Sequence, residues 1–302
     1  MATIATTPKA RIEEKAAYRV ARRRSWFPTV QRVIFWIIVA FIIVYTLFPF
    51  YWAIVSSLRE TKELTDTSVK YWPTHIDWSH FHFVLTNGDF LVSLRNSAIV
   101  AVSTTLLSLV LGALAAYAFG RMRFRGKTVS LYLILSMTMF PQIAILGSLF
   151  TFITSAHLYN RLGGLVVAYL TFTLPFTVWV LANFFKAMPG ELEEAALVDG
   201  ASPLQAFVRI LLPLAAPGLV TTGLLAFIAA WNEFLYALTF VNDTQHYTSI
   251  VAIASFSGNT QYEVPWGNIM AASVIVTIPL VIGVLIFQRK IIGGLTAGAV
   301  KG

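Results

Sequence analysis

The sequence predicts an all-α polytopic membrane protein with six transmembrane helices. Hydrophobic residues make up 57% of the 302 residues and charged residues only 12%, about half of the roughly 25% expected in a soluble domain. The mean hydropathy is +0.72. Six runs reach the ~20 apolar residues that a helix needs to cross a bilayer. The basic residues are distributed unevenly between the segments that connect these runs.

None of the six predicted spans contains a charged residue. They cover residues 33–55, 96–119, 128–156, 162–185, 210–232 and 264–288. The first run exceeds the roughly 7–15-residue apolar core of a secretory signal peptide, so it is predicted to be an uncleaved anchor. The fifth is followed by mainly apolar sequence as far as Phe240.

Lys and Arg residues predict the orientation. If the N-terminus is cytoplasmic, 17 of the 22 basic residues lie in inner segments, and the outer segments hold only Arg59, Lys62, Lys70, Arg95 and Arg161. The positive-inside rule then places both termini in the cytoplasm. The basic cluster before the first span is interpreted as this topology signal; binding to specific lipids or to nucleic acid is the alternative.

Three parts are predicted along the chain. Residues 1–32 form a basic cytoplasmic arm, residues 33–290 the six-helix domain, and residues 291–302 a glycine-rich cytoplasmic tail. The chain has no cysteine, which excludes disulfides, thiolate catalysis and cysteine-ligated metal.

The inner loop between the fourth and fifth spans departs from the positive-inside pattern. Residues 186–209 contain two basic side chains and four acidic ones, Glu191, Glu193, Glu194 and Asp199. An acidic loop gains nothing from anionic lipid headgroups. The composition therefore predicts a surface that contacts a protein.

The same loop predicts two helices joined by a tight turn. Residues 191–199 favour a helix with acids in its first turn, and Gly200 can adopt a positive φ and reverse the chain. Ser202 and Pro203 fit the N-cap and N1 positions of a second helix over residues 204–212. Four apolar residues are available for packing: Leu197, Leu204, Phe207 and Val208. An ordinary amphipathic surface hairpin remains the alternative to a docking site.

The spacing of this loop matches a known motif. Glu194-Ala195-Ala196 is followed by Gly200, Ile210 and Leu212-Pro213. Every fixed position agrees with the characteristic cytoplasmic loop of permeases from binding-protein-dependent ABC importers, which this chain therefore resembles.

Three further segments resemble the MalG-type subunit of carbohydrate importers: residues 121–127, 230–233 and 293–302. The similarity covers nearly all of the chain after about residue 30. The segment 254–258 and the span that follows it resemble the trehalose and maltose branch more than the glycerol-phosphate importers.

The resemblance implies that the loop, residues 188–213, forms a pair of coupling helices in a cleft of an ATPase subunit. Glu194 would make polar contact there, Gly200 would set the angle between the helices, and two alanines would permit close approach. The implied coupling residues are Glu194, Ala195, Ala196, Asp199, Gly200, Ala201, Ile210, Leu212 and Pro213. The C-terminal tail either reaches the ATPases or is a frayed end.

The resemblance also implies the assembly. The expected partners are a homologous second permease subunit in a heterodimer, two ABC ATPase subunits and an extracytoplasmic sugar-binding protein, within the bacterial cytoplasmic (inner) membrane. The chain itself is expected to be non-catalytic and to bind no cofactor, because ATP and Mg are used by the ATPase subunits. No nucleic-acid partner is expected.

The residues themselves argue against nucleotide and metal sites. The run G-R-M-R-F-R-G-K-T at 120–128 has five residues between its glycines, whereas a phosphate-binding loop has four. All five histidines fall in predicted outer loops. His80 and His82 are interpreted as surface polarity, with metal binding as the alternative.

A sugar pathway requires aromatic faces and neutral polar groups. Candidates for the path or its gate are Thr138, Gln142, Trp179, Asn183, Trp231, Asn232, Glu233 and Tyr236. Glu233 is the one acid in its apolar tract. It is expected near the water-accessible outer end of its span, with a structural or gating role favoured over ligand contact. The partner permease could carry most sugar contacts instead.

The outer segment 241–263 is expected to face the binding protein, through Ser255, Ser257, Gly258 and Asn259. An ion-coupled secondary transporter and a membrane-embedded enzyme are the rival functions. The first would need buried ionisable residues and internal repeats, and the second would need paired catalytic groups at one depth. The sequence does not specify the sugar.

Overall fold

The computed structural model describes residues 8–66, 70–256 and 264–297, and describes side chains for 29–66, 70–256 and 264–288. Within these ranges every regular element is a helix, so the predicted all-α class is confirmed there. The elements are α1 (Pro8–Ser57), α2 (Thr61–Leu64), α3 (Ser79–Thr86), α4 (Gly88–Arg121), α5 (Lys127–Thr138), α6 (Gln142–Ser155), α7 (Leu162–Ala187), α8 (Glu191–Val198), α9 (Pro203–Ala206), a π-helical turn (Phe207–Leu211), α10 (Leu212–Leu214), α11 (Ala216–Trp231), α12 (Leu235–Phe240), α13 (Ser249–Ala254) and α14 (Trp266–Ala297).

Four described helices are long and apolar enough to cross a membrane: Thr29–Ser57, Gly88–Arg121, Leu162–Ala187 and Trp266–Gln288. Two further candidates are bent pairs. Lys127–Thr138 and Gln142–Ser155 meet at 97°, and Pro203–Leu214 and Ala216–Trp231 meet at 75°. The described chain therefore has six spans if each bent pair crosses once.

The predicted third span, 128–156, is wrong as one continuous helix. The break falls at residues 139–141, where Pro141 has an extended backbone with φ −62° and ψ 124°. Proline lacks the N–H that would continue the helix, and it disfavours the helical region for the residue before it. Composition predicted the apolar run, but not the right-angle turn inside it.

The predicted fifth span, 210–232, is also interrupted. Its first residues belong to the π-helical turn and α10, and the chain bends at Ala215 before α11 begins. Pro217 lies at the second position of α11, where it removes a backbone donor and its ring would clash with the carbonyl four residues earlier in a continuous helix.

The chain divides into two units, residues 1–55 and 56–302. The first is formed by α1, which begins at Pro8, so the predicted basic arm is helical from that residue and no break separates it from the span. At the other end, α14 continues to Ala297 and takes in part of the predicted tail.

The second unit is built around α4 and α7, which pack in close contact. A Cβ at Gly112 of α4 would lie 2.5 Å from the Thr177 Cγ2 atom of α7, so only glycine permits this approach. One core lies between these helices and α11 to α14. A second core lies at the Arg121 end of α4 and contains Tyr117, Phe185, Phe207 and Leu211. This second core includes Phe207 and Leu211 of the π-helical turn that directly follows α9.

Candidate functional site

Helices α8 and α9 form the predicted helix–turn–helix, named here the hairpin (residues 191–206). Gly200 has φ +84°, in the left-handed region that glycine adopts without strain. Ser202 caps α9 by accepting a hydrogen bond from the Gln205 N–H, while the Gln205 side chain accepts one from the Ser202 N–H. With Pro203 at the first helical position, the predicted turn geometry is confirmed.

The predicted coupling residues divide between the surface and the interior of the hairpin. Glu194, Ala195, Asp199 and Gly200 are exposed and Ala201 is half-buried. Ala196 is only 4% exposed, so its methyl group packs inside the chain. Of the two alanines, only Ala195 is therefore accessible to a partner.

The second half of the motif lies where α9 passes into the fifth span. Ile210 is half-buried in the π-helical turn, Leu212 is half-buried at the start of α10, and Pro213 is exposed. The expected uninterrupted helix over 204–212 is therefore wrong, because one extra residue is accommodated at Phe207–Leu211. Such single π turns are frequent at functional positions.

A polar cluster fixes the first arm of the hairpin to α4; it consists of Tyr117, Arg121 and Glu193 and is named here the Arg121 cluster. The Tyr117 hydroxyl donates to Glu193 Oε1 at 2.6 Å, and Arg121 Nε donates to Glu193 Oε2 at 2.7 Å. The guanidinium also donates to the Met188 and Pro189 carbonyls, at 3.0 and 3.4 Å. Arg121 therefore bonds both α8 and the segment that precedes it.

The Arg121 cluster is shielded from water. The side chains of Arg121 and Glu193 are 11% and 18% exposed, and a charge-assisted hydrogen bond in such a setting contributes about 1.5–3 kcal/mol. Sequence reasoning missed the cluster, because Arg121 was counted as a topology signal and as part of the 121–127 resemblance, and Tyr117 was not considered. The available signal was their i, i+4 spacing, which puts both on one helix face.

The glycine- and lysine-containing run at 120–128 has a structural arrangement. Lys127 Nζ donates to the Gly120 and Met122 carbonyls at 3.3 and 3.0 Å, and Gly126 has φ +82° at the N-cap of α5. The ammonium thus satisfies carbonyls at the end of α4, an interaction favoured at helix C-termini.

The predicted pathway residues do not meet at one site. Three of them are exposed and hydrogen-bond to their own helices: Thr138 to Leu135, Asn183 to Trp179 and Asn232 to Ile228. The half-buried Trp179 stacks obliquely on Tyr132 of α5.

The remaining pathway residues make structural contacts in and around the core between α4, α7 and α11 to α14. Trp231 Nε1 donates to the Val276 carbonyl at 3.2 Å and so joins α11 to α14. The Tyr236 hydroxyl donates to the main-chain carbonyl of Gln142 at 3.4 Å. Both aromatic side chains are buried.

Glu233 is buried, with 7% of its surface exposed, so the expectation that water reaches it is wrong for this structure. Its two carboxylate oxygens accept hydrogen bonds from the N–H groups of Tyr236 at 2.7 Å and Ala237 at 3.0 Å. These are N–H groups at the start of α12, which lack partners within the helix. The carboxylate therefore shapes the turn between α11 and α12.

Part of the expected binding-protein surface is described. Ser255 donates to the Val251 carbonyl at the end of α13, whereas Ser257, Gly258 and Asn259 lie outside the described residues. At the start of the same segment the Asn160 amide donates to Asp243, and the Asn242 N–H donates to Asn160 Oδ1. The pKa of the Asp243 carboxyl is lowered, mainly by the hydrogen bond from the Asn160 side chain and to a smaller extent by the nearby His246.

One histidine differs from the expectation of surface polarity. His80 is buried in α3, where its ring nitrogens lie 2.8 Å from Asn268 Oδ1 and 3.0 Å from the Arg59 carbonyl oxygen. It ties α3 to α14, while His82 on the same helix is exposed. The two are therefore not a matched pair of surface ligands.

Comparison with known proteins identifies the family. Residues 108–295, more than half of the chain, match the family described as binding-protein-dependent transport system inner membrane component. The chain is 41% identical to the trehalose transport system permease protein SugB of Mycobacterium tuberculosis over 90% of this chain and 99% of that protein. It is 43% identical to the trehalose/maltose transport system permease protein MalG of Thermococcus litoralis over 85% of this chain and 92% of that one.

A solved structure shares the fold. The crystal structure of a bacterial ABC transporter involved in the import of the acidic polysaccharide alginate contains a chain that superimposes with a TM-score of 0.73 at 22% identity, covering 95% of this chain and 99% of that chain. The sequence motif, the family match and the fold all agree. The chain belongs to the binding-protein-dependent transport system inner-membrane component family and is a multi-pass protein of the inner membrane.

Proposed function

We propose that this chain is the permease subunit of an ATP-driven, binding-protein-dependent importer of a sugar, with a disaccharide such as trehalose or maltose as its cargo. The observation that carries the proposal is the exposed face of the hairpin. Gly200 and Ser202 fix the two helices, yet Leu197, Val198 and Leu204 remain exposed, Val198 by 87%.

Exposed apolar side chains rimmed by acids are typical of a protein interface rather than of a loop that faces only solvent. Glu194 and Asp199 supply the acidic rim on the same two turns. The occupant that fits is an ABC ATPase subunit. The distribution of Lys and Arg, which favours cytoplasmic termini, puts the hairpin on the side of the membrane where ATP is available.

In this mechanism two ATPase subunits hydrolyse ATP and the hairpin moves with one of them. The motion tilts the spans between inward-open and outward-open states, as alternating access requires. This chain forms half of the pathway, and a homologous permease forms the other half. A sugar-binding protein delivers the cargo to the opposite face, where the 241–263 segment receives it.

The choice of sugar draws on the relatives. The proteins at 41% and 43% identity carry trehalose and trehalose/maltose in their names, and both alignments extend over most of each chain. The test is ATPase stimulation in the assembled transporter with its binding protein by a panel of disaccharides. Stimulation by neither trehalose nor maltose would overturn this assignment.

The docking surface is tested by association with the ATPase. Glu194→Lys reverses a charge on the exposed face, and Gly200→Pro imposes a negative φ where the structure has +84°. We expect both variants to insert in the membrane and to lose the ATPase subunits on purification. Glu60→Lys makes the same charge change at an exposed acid outside the hairpin and should retain them. Normal ATPase association in both hairpin variants would refute the docking role.

The rival function is an ion-coupled secondary transporter, for which Glu233 is the buried acid among the described residues. Both of its carboxylate oxygens are used by backbone N–H groups, which favours a structural role. Reconstituted vesicles decide between the two. Sugar uptake that persists without ATP and without ATPase subunits would contradict the importer proposal.

A further inference from the structure

The Arg121 cluster lies at the junction of three segments. Glu193 belongs to the first turn of α8, Tyr117 and Arg121 to the last two turns of α4, and the Met188 and Pro189 carbonyls to the connection from α7. All of the polar contacts cross between segments that are more than 60 positions apart in sequence. The cluster is therefore a tertiary joint rather than a helix cap.

Tyr117 connects both arms of the hairpin. Its hydroxyl donates to Glu193 on the first arm, and its ring lies 4.7 Å from the Phe207 ring, centroid to centroid, just after the second arm. Phe207 also packs on Phe185 of α7 at 5.8 Å. One side chain of α4 thus holds the two ends of the hairpin in a fixed relation.

Close helix packing extends this joint along the spans. A Cβ at Gly120 would lie 2.8 Å from the Phe185 Cβ atom of α7, and the contact at Gly112 is tighter still. Because packed elements transmit displacement as units with few discrete arrangements, α4 and α7 are expected to follow the hairpin together.

We propose that Tyr117, Arg121 and Glu193 are positioning residues that transmit displacement of the hairpin to α4. This inference rests on the proposed function, because it takes the ATPase as the source of the displacement. In this proposal the three residues do not themselves contact the ATPase. They determine how much of its motion reaches the spans.

The test separates docking from transmission. Tyr117→Phe keeps the ring on Phe207 and removes only the hydroxyl. Arg121→Lys keeps the charge and removes the planar fork, and Glu193→Gln removes the charge at nearly constant shape. Glu191→Gln is the matched control, since Glu191 is an exposed acid on the same helix.

In the full transporter we expect the three cluster variants to retain the ATPase subunits and to move less sugar for each ATP hydrolysed. Trehalose and maltose uptake is measured against phosphate release. The expected fall in this ratio is roughly two- to thirtyfold, the range reported for residues that carry coupling between distant sites. Glu191→Gln should leave the ratio unchanged.

A distance measurement tests the transmission directly. The chain has no cysteine, so spin labels can be attached to Cys introduced at Val110 and Glu191, both exposed. The distance should stay narrow through the ATP cycle with the cluster intact and broaden in Glu193→Gln. A local structural role would also broaden this distance but would leave the sugar moved for each ATP unchanged, so the distance is interpreted together with the transport ratio.

Two results would overturn the proposal. One is a normal transport ratio in Glu193→Gln, whether the distance distribution is narrow or broad, and the other is loss of the ATPase in all three variants, which would make the cluster part of docking. The two hairpin variants keep the outcomes distinct. If Glu194→Lys and Gly200→Pro both still bind the ATPase, the proposed docking role fails; if both lose it, while the cluster variants couple normally, only the transmission role fails.

Discussion

Glu193 and Glu233 each lie beside the start of a short helix, and their surroundings differ. Glu193 is bound by side chains of α4, a helix more than 70 residues earlier in the chain. Glu233 is bound by backbone N–H groups three and four residues ahead. The first interaction joins separate helices, whereas the backbone hydrogen bonds of the second shape its own turn, which the Tyr169 side chain of α7 faces. The role of a carboxylate beside an apolar span is therefore inferred from its hydrogen-bond partners and not from its depth in the membrane.

The largest effect expected from this comparison is on stability, at Glu233. Glu233→Ala leaves two buried N–H groups of α12 without acceptors, at a cost of about 1–3 kcal/mol for each. We expect a clear fall in the thermal unfolding temperature of the purified transporter, with normal retention of the ATPase. Glu233→Gln keeps one acceptor oxygen and should lose less.

The opposite pattern would break the comparison. If Glu233→Ala unfolds at the wild-type temperature but transports no sugar, then the carboxylate acts in gating or ligand contact, and its backbone bonds are incidental.

A smaller effect is expected at the hairpin turn. Ser202→Ala removes the N-cap of α9, a change that typically costs about 1 kcal/mol. We expect faster hydrogen exchange at the Gln205 amide, whose N–H now bonds to the Ser202 hydroxyl, and weaker ATPase association with little change in global unfolding. Ser202→Thr, which keeps the hydroxyl, is the control. Unchanged exchange at Gln205 would show that the cap does not hold the hairpin.

The smallest effect is expected at Asp243, whose side chain is 42% exposed. Its pKa lies below the ordinary value of 3.8, first because the Asn160 amide donates to it and then through His246. Since the folded pKa is depressed, the contribution to stability is complete above pH 3.8 and is lost as the pH falls through the lowered pKa. The protection factor of the Asn242 amide, the intrinsic exchange rate divided by the measured rate at the same pH, should thus be constant near neutral pH and fall in acid.

Asp243→Asn provides the check on that pH dependence. The variant lacks the titrating group, so its protection factor at Asn242 should change less than that of the wild type as the pH falls from neutral to well below 3.8. Identical profiles would assign the acid sensitivity to another group.

The prediction from sequence was most accurate where structure is local. The turn at Gly200 and the cap at Ser202 follow from backbone preferences of single residues, and the structure has both. The two broken spans were missed although Pro141 and Pro217 were visible, since an apolar run was scored by length rather than by its prolines. The pathway residues were predicted from their side-chain chemistry alone. In the structure, packing places several of them on surfaces that do not face one another.

The sequence by itself determined the class of this protein: apolar runs long enough for a bilayer, an asymmetric distribution of basic residues and a motif that specifies the family. These are properties of composition and spacing, so they can be read without coordinates. Only the tertiary structure decided that Tyr117 and Arg121 meet Glu193, that Glu233 serves its own turn, and that His80 is buried. Each of these depends on which distant segments pack together, and hydrophobic periodicity specifies a buried face without specifying its partner.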